Sequence, residues 1–260
     1  QKFRNNMYGN MIEAQFINNE IDELFLYDMA STFYHVLEDS LIKGTNDASG
    51  DTIIIGLYNK NLSRIEIVGG GRGLFEPEKN NSNIDSSIIY QGDYIDYHVN
   101  DKKTYITDNA IIENEGTVLT SGHIIADWNT NLLKLESIEN QLPTVDTPDG
   151  EPLNGNFMEF DLITKQGRII KGKTSFNNSI YYGEKIYRDD PNIFHVKSSK
   201  YTSCDADIPH FYLASRKMKM ITGDRIISRP LWLFVYDIPL IGLPLAVFPN
   251  KGGNRHSGWI

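Results

Sequence analysis

The stretch GDTIIIGLYNKNLSRIEIV, residues 50–68, decides the fold. Ile53, Ile55 and Leu57 recur at every second position, Asn59-Lys60-Asn61 interrupts them, and Ile65 and Ile67 resume the period. Alternation at period two sends side chains to opposite faces of a strand, whereas a helix would repeat them every three or four residues. Asparagine tolerates the left-handed backbone that a tight turn needs. The stretch reads as a β-hairpin with one apolar face.

Its opening phrase, glycine plus a polar residue before alternating apolar ones, returns along the chain. It occurs at Gly9-Asn10, Gly50-Asp51, Gly92-Asp93, Gly122-His123, Gly155-Asn156 and Gly223-Asp224. The copies lie roughly thirty to forty residues apart, with about twice that before the last, a spacing typical of repeated supersecondary units. Each copy reads as a turn that opens a strand. Ile95, Tyr97 and Val99 then share one face, as do Met158, Phe160 and Leu162. Second strands follow at 21–27, 62–68, 104–112 (with Ile106 inward) and 132–135. A lone hairpin is marginal in water, so stacked copies must share one apolar interior. The expected fold is all-β: an elongated, twisted body of stacked antiparallel hairpin repeats with an apolar stripe inside.

Residues 31–42 read as strand and then loop, although Phe33, Val36, Leu37 and Leu41 also fit helical spacing. Residues 136–154, with Pro143, Pro148 and Pro152, read as a long connection, and 186–192 as a further loop. The end, 238–260, is apolar but carries Pro239, Pro244 and Pro249, each incompatible with a helix interior, so it reads as short strands and turns. The expected divisions are repeats over 1–142, continuing repeats over 143–237, and a linker over 238–260.

A net charge of −9 over 260 residues, with a pI near 5.2, excludes the basic stripe of a nucleic-acid surface. No run of Lys or Arg exceeds two residues, which also speaks against a polybasic membrane patch. Gly69-Gly70-Gly71-Arg72-Gly73 follows a strand, but Leu74-Phe75-Glu76-Pro77 does not open the helix that a phosphate loop requires. A strand-ending turn explains it better. Cys204 is the single cysteine, with His195 and His210 near it in sequence. A Cys–His nucleophile would need an orienting third group, and a metal site would need more ligands. In an exported protein an odd cysteine pairs with one elsewhere. Asp51, Asp93 and Asp224 follow repeat glycines, where turn formation accounts for them. No enzyme, metal or cofactor is expected. A carbohydrate-acting β-solenoid enzyme is the alternative from another class, and it would need acidic residues clustered on one exposed face.

The C-terminal third resembles a known family. Tyr201-Thr202-Ser203-Cys204, Pro209-His210-Phe211-Tyr212-Leu213-Ala214-Ser215, Ile238-Pro239-Leu240, Phe248-Pro249 and Arg255-His256-Ser257-Gly258-Trp259 occur in that order. This is similar to the passage that joins the periplasmic domain to the outer-membrane barrel in the LptD family of lipopolysaccharide-assembly proteins. The upstream hairpins resemble that system's OstA-like domain. The resemblance implies an open β-jellyroll whose interior shields the acyl chains of lipopolysaccharide on the way to a barrel. It implies a chain that begins after a leader and ends where the barrel would start. Implied partners are lipopolysaccharide, a bridging periplasmic OstA-like protein that adds to an N-terminal edge strand, and a plug lipoprotein in the barrel. The implied location is the periplasmic face of the outer membrane. Members carry cysteine pairs between domain and barrel, and only Cys204 matches here, which implies a partner cysteine in the barrel. A free-standing bridge protein of the same pathway is the nearer alternative. The expected groove lining is Ile53, Ile55, Leu57, Ile65, Ile67, Ile95, Tyr97, Val99, Ile106, Met158, Phe160 and Leu162.

Overall fold

A computed structural model of the protein describes residues 4–38, 41–148, 152–176, 179–190, 192–206 and 208–249. All regular elements among the described residues are strands, and all their pairings are antiparallel within each of two compact units, Gln1–Pro148 and Asp149–Ile260. The expectation of an all-β fold of stacked antiparallel strands is met.

The first unit contains β1 (Asn6–Tyr8), β2 (Met11–Ile17), β3 (Glu20–Glu38), β4 (Leu41–Tyr58), β5 (Asn61–Pro77), β6 (Ile88–His98), β7 (Lys103–Asn114), β8 (Thr117–Asp127), β9 (Leu132–Glu136) and β10 (Thr144–Asp146). Strands β2 to β9 form a meander in which each pairs with the next. Strand β1 lies against the second half of β3, and β10 against the first half of β8.

Strands β3, β4 and β5 span 19, 18 and 17 residues, about three times the usual length. None of them runs straight. Ladder register shifts between Tyr27 and Ala30, Ser49 and Thr52, Val68 and Gly71, Gln91 and Tyr94, and Thr107 and Ala110. Such bulges bend a strand and increase its twist. Here they line up across neighbouring strands and fold the sheet along one line into two leaves.

Two devices make the bend. In β3, β5 and β7, two consecutive residues turn left-handed: Asp28 and Met29 (φ 57° and 59°), Gly69 and Gly70 (82° and 61°), and Asp108 and Asn109 (58° and 52°). In β4, β6 and β8 the alternation changes phase instead. Buried residues of β4 are Gly44, Asn46 and Ala48 before the bend and Ile53 and Ile55 after it. Glycines sit at the bend because the neighbouring strand fills the space inside. A Cβ on Gly71 would lie 2.8 Å from Ile95 Cδ1, and one on Gly50 or Gly92 would run into Ile67 or Ile106.

The repeat therefore means something other than a strand opening at three of its copies. Gly50, Gly92 and Gly122 lie inside β4, β6 and β8. Gly9 does open β2. Gly69-Gly70-Gly71 is the bend of β5 and not a terminating turn. Residues 31–38 belong to β3 and β4 begins at Leu41, so no helix forms there and the strand runs further than expected.

The inner faces of the leaves form the core. Leu26, Ile53, Ile88, Ile106, Ile112 and Ile124 are at most 1% exposed, and full burial of each such side chain stabilises by about 1.5–3 kcal/mol. On the outer face a charged network ties β5 to β6. Arg64 Nε and Nη2 each donate to a carboxylate oxygen of Asp96 at 2.8 Å, and Nη1 lies 2.8 Å from Glu66. Tyr94 donates to Glu66 at 2.5 Å, and His98 Nε2 lies 2.9 Å from Asp96. Burial raises the Asp96 carboxyl, but the bonds from Arg64 and then His98 outweigh it and hold the group below its ordinary value.

The second unit contains β11 (Leu153–Asn154), β12 (Phe157–Asp161), β13 (Gly167–Phe176), β14 (Ser179–Asp190), β15 (Ile193–Thr202), β16 (Phe211–Ile221), β17 (Arg225–Val235), β18 (Ile238–Leu243) and β19 (Ala246–Pro249). Strands β13 to β17 again form a meander, with β18 and β19 end to end along β17, β18 on its second half and β19 on its first. Gly155 and Gly223 precede β12 and β17, as the repeat predicts. The loop expected at 186–192 is largely strand, since β14 continues to Asp190. The connection expected at 136–154 likewise contains β10 and β11. Pro239 lies in β18, and Pro244 falls between β18 and β19, so this part of the chain is short strands joined by a turn. The stretch Arg255-His256-Ser257-Gly258-Trp259, expected to enter a barrel, lies outside the described residues.

Candidate functional site

The leaves of the first unit diverge away from the bend and leave a cavity of about 300 Å³ between them. Alternation puts every second side chain of each strand into this space. One leaf contributes Ile65, Ile67, Ile95, Tyr97 and Ile106, and the other contributes Tyr34, Ala48, Phe75, Tyr90 and Ile112. Trp128 closes one side from the turn after β8.

Two polar pairs form within this chamber. Asn46 Nδ2 donates to Tyr90 Oη at 2.8 Å, and Trp128 Nε1 donates to Thr104 Oγ1 at 2.8 Å. Burial pushes the Tyr90 phenol up to about 12 and also raises Tyr34 well above its ordinary value. Both phenols stay neutral. A buried polar group with a partner presents no unmet demand to an occupant, so at these two pairs the wall behaves as an apolar surface.

The mouth is different. It lies opposite the bend, where the β3–β4 hairpin end of one leaf faces the β6–β7 turn of the other. Glu38 Oε2 lies 3.2 Å from Lys43 Nζ, and Glu38 Oε1 accepts a hydrogen bond from Lys102 Nζ, 64 residues away in sequence. The Lys102–Glu38 pair spans the two lips. Bonds from Lys102 and then Lys43 hold the Glu38 carboxyl below its ordinary value. The turn is fixed from behind, with Val99 N donating to Ser63 O at 3.0 Å and Trp128 N to Lys102 O at 2.9 Å.

Of the residues expected to line a groove, Ile65, Ile67, Ile95, Tyr97, Val99 and Ile106 lie together on this cavity. Ile53 and Ile55 are buried in the same unit beyond its lining, and Leu57 is half-buried near the end of β4. Met158, Phe160 and Leu162 are buried in the second unit, at 2%, 6% and 3% exposure. Sequence reading missed Tyr34, Phe75, Tyr90, Ile112 and Trp128 in the walls, and Glu38, Lys43 and Lys102 at the mouth. Cys204 is a free thiol with Sγ 3.4 Å from His210 Nδ1, and its N–H donates to Thr202 Oγ1 at 3.0 Å. Among the described residues no group of three or more His, Cys, Asp or Glu is placed to hold a metal ion.

No protein-family model and no curated protein matches the chain. Among solved structures it is similar to LptH from Pseudomonas aeruginosa, described as the LptA-homologous periplasmic component of the conserved lipopolysaccharide transport device. The match has 14% identity and a TM-score of 0.43, and covers 55% of this chain and 92% of that one.

Proposed function

We propose that the chain is a lipid-carrying periplasmic domain of lipopolysaccharide transport that shields acyl chains between its leaves and passes them toward an outer-membrane barrel. The cavity of the first unit carries this reading. Its walls are mainly apolar, Asn46 is paired with Tyr90 and Trp128 with Thr104, and it opens at a charged mouth, as an amphiphile requires. Each methylene moved from water into such a space contributes about 0.8 kcal/mol, so acyl chains stay inside without a covalent step. The family-like residues from Tyr201 to Pro249 support the LptD-type role over a generic lipid carrier.

Strand β2 suits the bridging partner. It pairs with β3 along one side, and all seven of its residues are exposed, with Phe16 at 61%. Strand addition there would satisfy its open backbone groups. Cys204 is the residue we assign to a disulfide with the barrel, and the plug lipoprotein would act through that barrel. A free-standing bridge is the second reading, favoured by the apolar exposure of β18, where Ile238 and Ile241 are 61% and 58% exposed. That pattern offers a second docking edge.

Photocrosslinking in cells that make the full-length protein tests the proposal. A photoreactive residue at Tyr97 or Phe160 should give lipopolysaccharide adducts, while one at the exposed loop residue Asn80 should give none. Clean gels at all three positions with folded, exported protein would overturn it.

A further inference from the structure

The mouth has a charge pattern that the apolar cavity alone does not account for. Two ammonium groups, Lys43 and Lys102, meet one carboxylate, Glu38, and these are the charged side chains of the lining among the described residues. This leaves one excess positive charge at the entrance, on a chain whose net charge is −9. The three groups are also only partly shielded, with side-chain exposures of 27% for Lys43, 39% for Lys102 and 40% for Glu38, so a solute can reach them.

We infer that this mouth is a headgroup subsite for a phosphate-bearing amphiphile, with Glu38 holding the place of the phosphate until the lipid enters. The inference rests on the reading of the cavity as an acyl-chain site and adds to it the chemistry of the head. A phosphomonoester carries close to two negative charges at neutral pH and several strong acceptor oxygens, which match two ammonium groups better than one carboxylate does. Its tail then lies against Ile65, Ile95 and Ile106 while its head stays at the water boundary. Glu38 and Lys102 sit on opposite leaves, so exchange of the carboxylate for phosphate also releases the staple between the lips. Entry of the head and opening of the cavity become one event. Glu38 is a positioning residue in this scheme, and the lysines are the ligands.

The test is a binding titration of the purified chain with three probes, at concentrations below micelle formation. Dodecyl phosphate carries tail and head, dodecyl maltoside carries the tail with an uncharged head, and inorganic phosphate carries the head alone. Native protein should bind dodecyl phosphate about tenfold more tightly than dodecyl maltoside, the size of one charge-assisted contact. K43Q/K102Q should abolish that preference and, with the staple between the lips gone, bind the maltoside at least as tightly as native protein does, which also reports that the variant is folded. E38Q should strengthen binding of both amphiphiles by freeing the lips, and that of dodecyl phosphate by the larger factor. Equal binding of the two amphiphiles by native protein, or a preference that survives K43Q/K102Q, overturns the headgroup subsite while the acyl site stands. Competition by inorganic phosphate at the concentration of the amphiphile would mean a free-anion site and overturn the lipid assignment. Failure of both amphiphiles to bind removes the acyl site and the subsite with it.

Discussion

Glycine and isoleucine divide the work at the bend. Ile67, Ile95 and Ile106 reach into the space that Gly50, Gly71 and Gly92 leave open on the neighbouring strand. Interiors pack too densely to accept an added methyl without a shift. G92A should therefore destabilise the protein by about 1–3 kcal/mol in urea denaturation. G56A, where a Cβ would meet nothing closer than 3.5 Å, should stay within about 0.5 kcal/mol of native. Asp96 gives the acid response. Its folded carboxyl lies below the ordinary value of 3.8, so its stabilisation is present above that pH and is lost as pH falls through the folded value. D96N should lower stability at pH 7 and flatten the decline on acidification, measured as the urea midpoint against pH. At this scale the sequence revealed one wall of the cavity. Alternation identifies Ile65, Ile67, Ile95 and Ile106 as inward, because period two fixes the face. It cannot say which residues a folded sheet sets opposite them, so Tyr34, Phe75 and Tyr90 went unread. Nothing local marks Glu38 and Lys102 as partners across 64 residues.

The bend is also the defining feature of strands β3 to β8. In β4, β6 and β8 the inward phase changes at Gly50, Gly92 and Gly122, so the alternation restarts there. A new strand and a bent strand give the same pattern in sequence, and only the partner strand distinguishes them. In β5 and β7 the phase continues through the left-handed pairs, and the bend leaves no periodic trace. The same ambiguity hid β14 beyond Ile186, where Arg188-Asp189-Asp190 has loop composition but ladder pairing to β15. Asn109 tests the bend directly, being left-handed (φ 52°) and donating to Asp93 Oδ2 at 2.7 Å. N109G should lose that exposed bond and the one its Oδ1 accepts from Gln141 Nε2 at 3.4 Å, together about 0.5–1.5 kcal/mol. N109V should lose both bonds and add about 1–2 kcal/mol of backbone strain. Equal melting temperatures for the two variants would refute the role of the left-handed pair.

At the scale of the molecule, each function proposed has its own feature: apolar leaves for the tail, a charged mouth for the head and an open edge at β2 for a neighbour. The edge prediction is separable from the others. I12K/F16K places charge on exposed positions of β2, so it should leave the urea midpoint within about 0.5 kcal/mol while abolishing capture of the bridging partner in a pull-down. Capture that survives would move the partner to another surface. The central claim is that an acyl chain enters the cavity of the first unit, and Trp128 reports on it from the wall. With W232F and W259F removing the other two tryptophans, fluorescence of Trp128 should be quenched by a brominated dodecyl chain, saturably and reversibly on adding the unbrominated chain. A folded protein whose Trp128 emission is untouched, or falls without saturating, would contradict the account.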